Sequence, residues 1–155
     1  MVKARLELLK KLRRQTHASV SDIRKALEES DNDSSKALTW LKKHGRKKAL
    51  RKEGRETSQG LINAYIHQNG KVGAMVELLC ETDFVARTSE FKNLAHELAM
   101  QVAAMSPKDV DSLLKQEYIR DPSMKVSELI KQAISKLGEN IVVKRFTRYN
   151  LDSNR

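Results

Sequence analysis

The dipeptide Asn69-Gly70 constrains the fold of this chain more than any other feature, because it lies between two runs of alternating apolar residues, 61–68 and 71–80. Asn-Gly is typical of a type I′ turn, which needs positive φ at both central residues and joins neighbouring antiparallel strands. The sequence therefore predicts a β-hairpin with one apolar face. The residues expected on that face are Ile62, Ala64, Ile66, Val72, Ala74, Val76, Leu78 and Cys80.

Two amphipathic helices are predicted after the hairpin, at 91–103 and 126–137, and they can cover its apolar face. Both have apolar residues at i, i+3, i+4 and i+7, which is the spacing of one helix face. Between them, Pro107 is expected in the first turn of a short helix and Asp121-Pro122 in a turn. The run 139–151 is rich in β-branched and aromatic residues, which indicates a third strand beside the hairpin.

The first half of the chain predicts three short helices that pack as a small bundle. The apolar residues that define them are Leu6, Leu9 and Leu12, then Val20, Ile23, Ala26 and Leu27, then Ala37, Leu38 and Leu41. A separate basic linker helix is predicted at 46–55, with Gly45 and Gly54 on either side of it. The predicted domains are thus a helical module at 1–45, this linker, and a core at 56–155, and the fold class is α+β.

The positive charge of the chain is concentrated in its first part. The formal net charge is +10, and residues 1–55 hold 17 Lys/Arg against 7 Asp/Glu, so the whole surplus lies there. A basic module can bind nucleic acid, an anionic membrane or an acidic protein face, and charge alone does not choose among them. A basic RNA-binding or ribosome-associated protein is therefore a second interpretation of the chain.

The sequence lacks the patterns that enzymes use for common chemistry. It contains no GxGxxG, GxxxxGK[ST] or GxSxG motif, and its four histidines do not have HxxxH or HExxH spacing. Cys80 is the only cysteine and ends an apolar strand, where a buried core position is expected. We therefore expect no enzyme activity, no cofactor, no metal and no membrane association.

The segment Cys-Glu-Thr-Asp-Phe-Val-Ala-Arg at 80–87 resembles the signature of the elongation factor Ts family. Further segments resemble that family in the same order: 11–16 its N-terminal module, 60–67 and 71–87 its hairpin, and 136–146 its closing strand. The resemblance covers nearly the whole chain. It implies that the helical module is ubiquitin-associated-like, and it identifies the core as the single core subdomain of a short family member.

The resemblance implies a guanine nucleotide exchange factor that binds elongation factor Tu and weakens its hold on GDP and magnesium. The residues that would reach the magnesium site are Thr82, Asp83, Phe84 and Val85, with Phe84 as an inserted wedge. From the residues alone, a phenylalanine in such a connection is more commonly packed against its own core. A third interpretation, ubiquitin recognition by the module, gives the second half of the chain no role.

By the same resemblance, the helical module would contact elongation factor Tu through Arg13, Val20 and Ser21. Here the family's Gly-Ala-Gly-Met-Met run is replaced by His-Ala-Ser-Val-Ser at 17–21, and two methionine contacts are absent. The chain also lacks the second core subdomain and the coiled coil of longer members. Both faces of the hairpin carry apolar residues, Leu61 and Leu79 as well as the Ile62 set, so we predict a homodimer through the exposed face of the sheet. The expected compartment is the bacterial cytoplasm, with the mitochondrial matrix as the alternative, and nucleic acid is not a required partner.

Overall fold

A computed structural model describes residues 2–154, without the side chains of Val2, Ser153 and Asn154. The chain divides into two compact units, one ending at Arg51 and one beginning at Lys52, and each is described by itself. The helices of the first part are α1 Val2–Thr16, α2 Val20–Glu29 and α3 Ser34–Lys52. The later elements are β1 Gln59–Ile66, β2 Val72–Cys80, α4 Asp83–Ala86, α5 Ser89–Met105, α6 Val110–Lys115, β3 Glu117–Tyr118, β4 Asp121–Lys125, α7 Val126–Leu137, β5 Ile141–Asn150 and a 3-10 turn Leu151–Asn154.

The three predicted helices of the first unit are confirmed and pack around one small apolar core. Its buried members are Leu12, Ile23, Ala26, Leu27, Ala37 and Leu41. The hydroxyl of Ser19 caps α2 by accepting the backbone N–H of Asp22, and the carboxylate of Asp33 caps α3 by accepting that of Lys36. These caps satisfy amide groups that have no partner within their own helices, and so they fix where α2 and α3 begin.

The prediction of a separate linker helix at 46–55 is wrong in its secondary structure, because α3 continues without interruption through Gly45 to Lys52. One row of side chains along α3 explains the continuity. The rings of Trp40 and His44 stack with centroids 4.7 Å apart, while His44 Nε2 and Lys48 Nζ lie 3.4 and 2.5 Å from the Asp22 carboxylate. Tertiary contacts on this row outweigh the cost of about 1 kcal/mol for a glycine inside a helix.

A three-stranded antiparallel sheet forms the centre of the second unit, with strand order β1-β2-β5. The predicted hairpin and third strand are both confirmed, but the predicted type I′ turn is wrong. Gly70 has positive φ and Asn69 does not, and the Gly70 N–H donates to the His67 carbonyl at 2.8 Å to close a turn over 67–70. Leu61 pairs with Leu78 and Ile62 with Glu77 across β1 and β2, while Leu79 pairs with Val142 across β2 and β5. A register shift between Glu77 and Leu78 interrupts the second pairing, which is typical of a β-bulge.

The predicted apolar face of the hairpin is right for β2 and wrong for β1. Ala74, Val76, Leu78 and Cys80 are buried beneath the helices, but Ile62 and Ile66 are 63% and 66% exposed on the opposite side. Directly paired residues of antiparallel strands share a face, so the register places Leu61, Asn63 and Tyr65 with the core. Leu61 therefore lies on the side of the sheet that faces α5, whereas Leu79 lies on the opposite, exposed side.

Helix α5 covers the inner face of the sheet, as its apolar stripe predicts, and Phe91, Leu98 and Val102 are fully buried there. Helix α6 begins at Val110, capped by Asp109, so the expectation that Pro107 occupies its first turn is wrong. The turn predicted at Asp121-Pro122 lies two residues earlier, at Ile119-Arg120, and Asp121 and Pro122 begin β4 of a small β3–β4 hairpin. The short strands β3 and β4 were missed because two to five residues carry too little periodicity.

The β3–β4 hairpin is held against α5 by polar contacts with Glu97 and Gln101. One Glu97 oxygen accepts the Tyr118 hydroxyl and the Arg120 Nε–H, both at 2.6 Å. Burial acts to raise the pKa of the Glu97 carboxyl, but these two donors outweigh it and hold the pKa below its ordinary value of 4.5. Burial and the Glu97 carboxylate raise the pKa of Tyr118 to about 12.

We expect Glu97→Gln to destabilise the second unit at pH 7, with a smaller penalty in acid. A carboxyl whose pKa is lowered by folding contributes stability above its unfolded pKa, and that contribution is lost as the pH falls through the folded value. Urea unfolding at pH 7 and near pH 3 measures the two penalties. Equal penalties at both pH values would contradict a contribution from the ionised carboxylate.

Candidate partner-binding site

The connection between β2 and α5 is a compact turn that contains the one-turn helix α4. Thr82 is the N-cap of α4, and its hydroxyl accepts the backbone N–H of Val85 at 3.4 Å. Thr88 caps α5 in the same way, by accepting the N–H of Phe91 at 3.2 Å. Ala86 is buried between the two caps. Two consecutive capped helices thus fix the path of the chain over this connection.

A carboxylate from a distant part of the sequence holds the start of the turn. Glu139 Oε2 accepts the backbone N–H groups of Glu81 and Thr82 at 3.0 and 2.9 Å, and Glu139 Oε1 accepts the Thr82 hydroxyl at 2.5 Å. In the opposite direction, Glu81 Oε1 accepts the N–H of Asn140 at 2.7 Å. We call these four hydrogen bonds the glutamate clamp. The clamp ties the end of β2 to the start of β5.

The thiol of Cys80 adds a further contact to the turn. Cys80 is fully buried, as predicted, and its Sγ–H donates to the carbonyl oxygen of Thr82 at 3.1 Å. Burial raises the pKa of this thiol, and the negative charges of Glu139 and Asp83 add to the effect. The thiol therefore stays protonated at neutral pH and remains a donor. Thr82 is thus held through its amide, its hydroxyl and its carbonyl.

The structure brings the four predicted residues of the 82–85 segment together on this turn. Phe84 projects from α4 with 78% of its surface exposed, so the expectation that its ring packs onto its own core is wrong. Thr82, Asp83 and Val85 are half-buried. An Arg87 guanidinium nitrogen lies 2.9 Å from the Asp83 carboxylate one turn away. The site is an exposed aromatic ring on a firmly held backbone.

The three predicted residues of the helical module lie on either side of the α1–α2 connection. Arg13 is exposed in the last turn of α1, and its carbonyl accepts the N–H of His17, whose φ is 53°. Val20 is half-buried at the start of α2, and Ser21 beside it is exposed. The Ser21 hydroxyl lies 2.9 Å from that of Ser19.

Sequence reasoning identified Thr82 but missed the other three members of the glutamate clamp, Glu81, Glu139 and Asn140. Glu139 and Asn140 follow the helix-terminating Gly138, and they lie within the segment that resembles the closing strand of the family. Their hydrogen bonds to 81–82 join positions 57 to 59 residues apart. Local patterns carry no signal for such a pairing.

Within residues 2–154, no group of three or more His, Cys, Asp or Glu side chains is placed to hold a metal ion. Among the helices described, none is both long and apolar enough to cross a membrane.

Comparison with known proteins identifies the class of this chain. The family model "Elongation factor TS" matches residues 81–155. An elongation factor Ts from Thermotoga neapolitana is 43% identical, with 94% of this chain and 96% of that protein covered. Those from Oleidesulfovibrio alaskensis and Synechococcus elongatus are 40% and 38% identical, covering 93% and 97% of this chain and 96% and 89% of those proteins. These matches show a translation elongation factor.

The chain belongs to the elongation factor Ts family. The alignment with the Thermotoga neapolitana protein extends over 189 positions, which exceeds the 155 residues of this chain. That relative therefore contains residues that have no counterpart here.

Proposed function

We propose that this chain is a guanine nucleotide exchange factor that binds elongation factor Tu in its GDP-bound and nucleotide-free forms. It promotes GDP release by disturbing the magnesium and nucleotide site, and it performs no covalent chemistry, so it is not an enzyme. The observation that carries the proposal is the exposed Phe84 ring on the turn that Thr82 caps. A large apolar side chain held out to solvent is costly to leave without a partner.

Linkage supplies the mechanism. A factor that binds the empty form of its partner better than the GDP form must weaken GDP binding by the same coupling free energy. Burying a Phe side chain contributes roughly 1.5–3 kcal/mol, which is comparable to typical coupling energies. Because the turn around Phe84 is already fixed, little conformational entropy is lost when the ring enters the partner. Asp83 acts beside Phe84, while Thr82 and Val85 support the turn.

The helical module provides a second contact in this proposal. Arg13, Val20 and Ser21 would bind a helix of the partner's nucleotide domain, with the exposed Arg13 guanidinium pairing with an acidic group. Val20 is half-buried and Ser21 is polar, so this contact offers little apolar surface. The bacterial relatives support the bacterial cytoplasm as the compartment.

Release of a fluorescent GDP analogue from elongation factor Tu tests the proposal. We expect this protein to accelerate release in a saturable manner, and the acceleration should persist at moderate salt because apolar burial is little screened. In the control, fluorescent GDP is mixed with this protein alone, and its fluorescence should not change. No acceleration would contradict the proposal and make RNA binding, with its steep loss of affinity in salt, the leading function.

We further propose a homodimer formed through the side of the sheet that faces away from α5, called here the outer face. Its exposed apolar residues are Ile62, Ile66, Met75, Val142 and Tyr149. They come from all three strands and share one side of the sheet by their register. An apolar side of a sheet is normally covered, and a second copy of the same face can cover it with two-fold symmetry.

Ile62→Lys is expected to convert this dimer into a monomer. Ile62 pairs with Glu77, so a lysine there has an opposite charge beside it and the fold of one copy is retained. Light scattering at micromolar concentration should give the mass of a dimer for the wild type and of a monomer for the variant. Leu50→Lys, at an exposed apolar position on α3, is the matched control. A monomeric wild type would overturn the proposal.

A further inference from the structure

We propose that Glu139 is a positioning residue for nucleotide exchange, acting through Thr82 to present the Phe84 ring. The inference rests on the proposed exchange function and assigns a role to a residue 55 positions away from the exposed ring. Glu139 lies between the end of α7 and the start of β5, so packed secondary structure fixes its backbone on both sides. From there its carboxylate accepts three hydrogen bonds from 81–82.

The two backbone N–H groups that donate to Glu139 have the Glu139 carboxylate as their acceptor. The N–H groups of Glu81 and Thr82 lie in the connection after β2 ends, ahead of the first residue of α4. Neither belongs to a strand ladder or a helix interior, and both are partly buried. A carboxylate is the strongest acceptor available to a pair of amides, because hydrogen bonds to an ionised group are shorter and stronger than neutral ones.

The hydroxyl of Thr82 connects the clamp to the helix that carries Phe84. A threonine hydroxyl has one hydrogen to donate and lone pairs to accept. Its hydrogen is directed to Glu139 Oε1, which leaves a lone pair for the N–H of Val85. Glu139 thereby fixes the rotation of the group that caps α4. Loss of the carboxylate frees both the backbone of 81–82 and the cap.

The clamp is reinforced from the opposite direction. Glu81 Oε1 accepts the N–H of Asn140 and lies 3.8 Å from an Arg55 guanidinium nitrogen. The buried Asn140 side chain donates to the Arg55 carbonyl at 2.9 Å. Reciprocal contacts between 81–82 and 139–140 hold the segment in one orientation, which a wedge needs if it is to enter its partner without prior ordering.

Glu139→Ala and Glu139→Gln separate positioning from general stability. Alanine removes all three hydrogen bonds. Glutamine keeps one oxygen for the two amides but turns a donor towards Thr82, so it restores part of the arrangement. Glu97→Gln is the matched control, because Glu97 is also a half-buried carboxylate that accepts two hydrogen bonds, and those bonds hold the β3–β4 hairpin instead of the turn.

Each variant is compared as folded protein, at a concentration that saturates elongation factor Tu. We expect the acceleration of GDP release to fall on the order of tenfold in Glu139→Ala and by less in Glu139→Gln. Glu97→Gln should accelerate GDP release as much as the wild type does. In a Phe84→Ala background, adding Glu139→Ala should change nothing further, because both act through the same ring. Amide hydrogen exchange over 81–87 should become faster in Glu139→Ala, and this readout does not depend on elongation factor Tu.

The outcomes distinguish this inference from the proposed function. A wild-type protein that does not accelerate GDP release contradicts the exchange function itself. A wild type that is active together with a Glu139→Ala variant that retains full activity overturns the positioning role. Additive losses in the double variant overturn it as well. If Glu139→Ala does not fold, Glu139→Gln decides, since activity and amide exchange equal to the wild type in that variant would refute the role.

Discussion

Replacing Phe84 with alanine is expected to abolish most of the acceleration of GDP release and to leave the protein folded. The ring is 78% exposed, so its removal costs little in the free chain. In the complex it removes roughly 1.5–3 kcal/mol of apolar burial, which corresponds to about a ten- to hundredfold loss of coupling. Stopped-flow release of fluorescent GDP from elongation factor Tu measures the loss, and thermal unfolding should be unchanged.

Ile119→Ala is the matched control for this substitution. Ile119 is also an exposed apolar residue of the second unit, but it lies at the β3–β4 turn, away from 82–85. Its variant should exchange nucleotide as fast as the wild type. Equal losses in both variants would mean that the Phe84 effect is not specific, and full activity in Phe84→Ala would remove the wedge from the mechanism.

The second large effect is expected from Gly60→Ala, which should destabilise the second unit by at least about 3 kcal/mol. Gly60 has φ of 155°, a conformation that L side chains rarely adopt. A Cβ at this position would lie 2.1 Å from the Leu78 carbonyl oxygen and 2.8 Å from Leu79 Cα. Those atoms belong to the backbone of β2, the central strand, which cannot move without disturbing both neighbours.

Gly70→Ala is the control for the substitution at Gly60. Gly70 also has positive φ, 69°, but no atom lies within 4 Å of an added Cβ there. Only the conformational penalty of about 1–2 kcal/mol should remain. Urea unfolding of the two variants gives the difference. If both lose the same stability, the close approach of β1 to β2 at Gly60 has no energetic consequence.

Much of the core fold could be predicted because its signals are local. The Asn69-Gly70 turn, the alternation in β2 and the apolar stripe of α5 each suffice to specify an element. The face of β1 could not be predicted, since both of its alternating sets contain apolar residues and only the register with β2 decides between them. The continuity of α3 was missed because Gly45 is a breaker locally, while its neighbours in the helix make tertiary contacts.

The residues of the candidate site could be predicted from a family resemblance but not from local patterns. Thr82, Asp83, Phe84 and Val85 were identified through the resemblance to a family, and physical reasoning on the residues alone favoured a buried Phe84. The exposure of the ring follows from how the turn is held. That depends on Glu139, whose pairing with 81–82 spans nearly 60 positions and leaves no periodic trace.

The long separation within the glutamate clamp has a consequence for the order of events during synthesis. Glu139 is added to the chain 57 residues after Thr82. At the usual 5–20 residues per second, the ribosome needs roughly 3–11 seconds to cover that distance. Throughout this interval the nascent chain carries Phe84 on a segment that has no clamp to order it. The proposed exchange site is therefore completed only after Glu139 has been added to the chain.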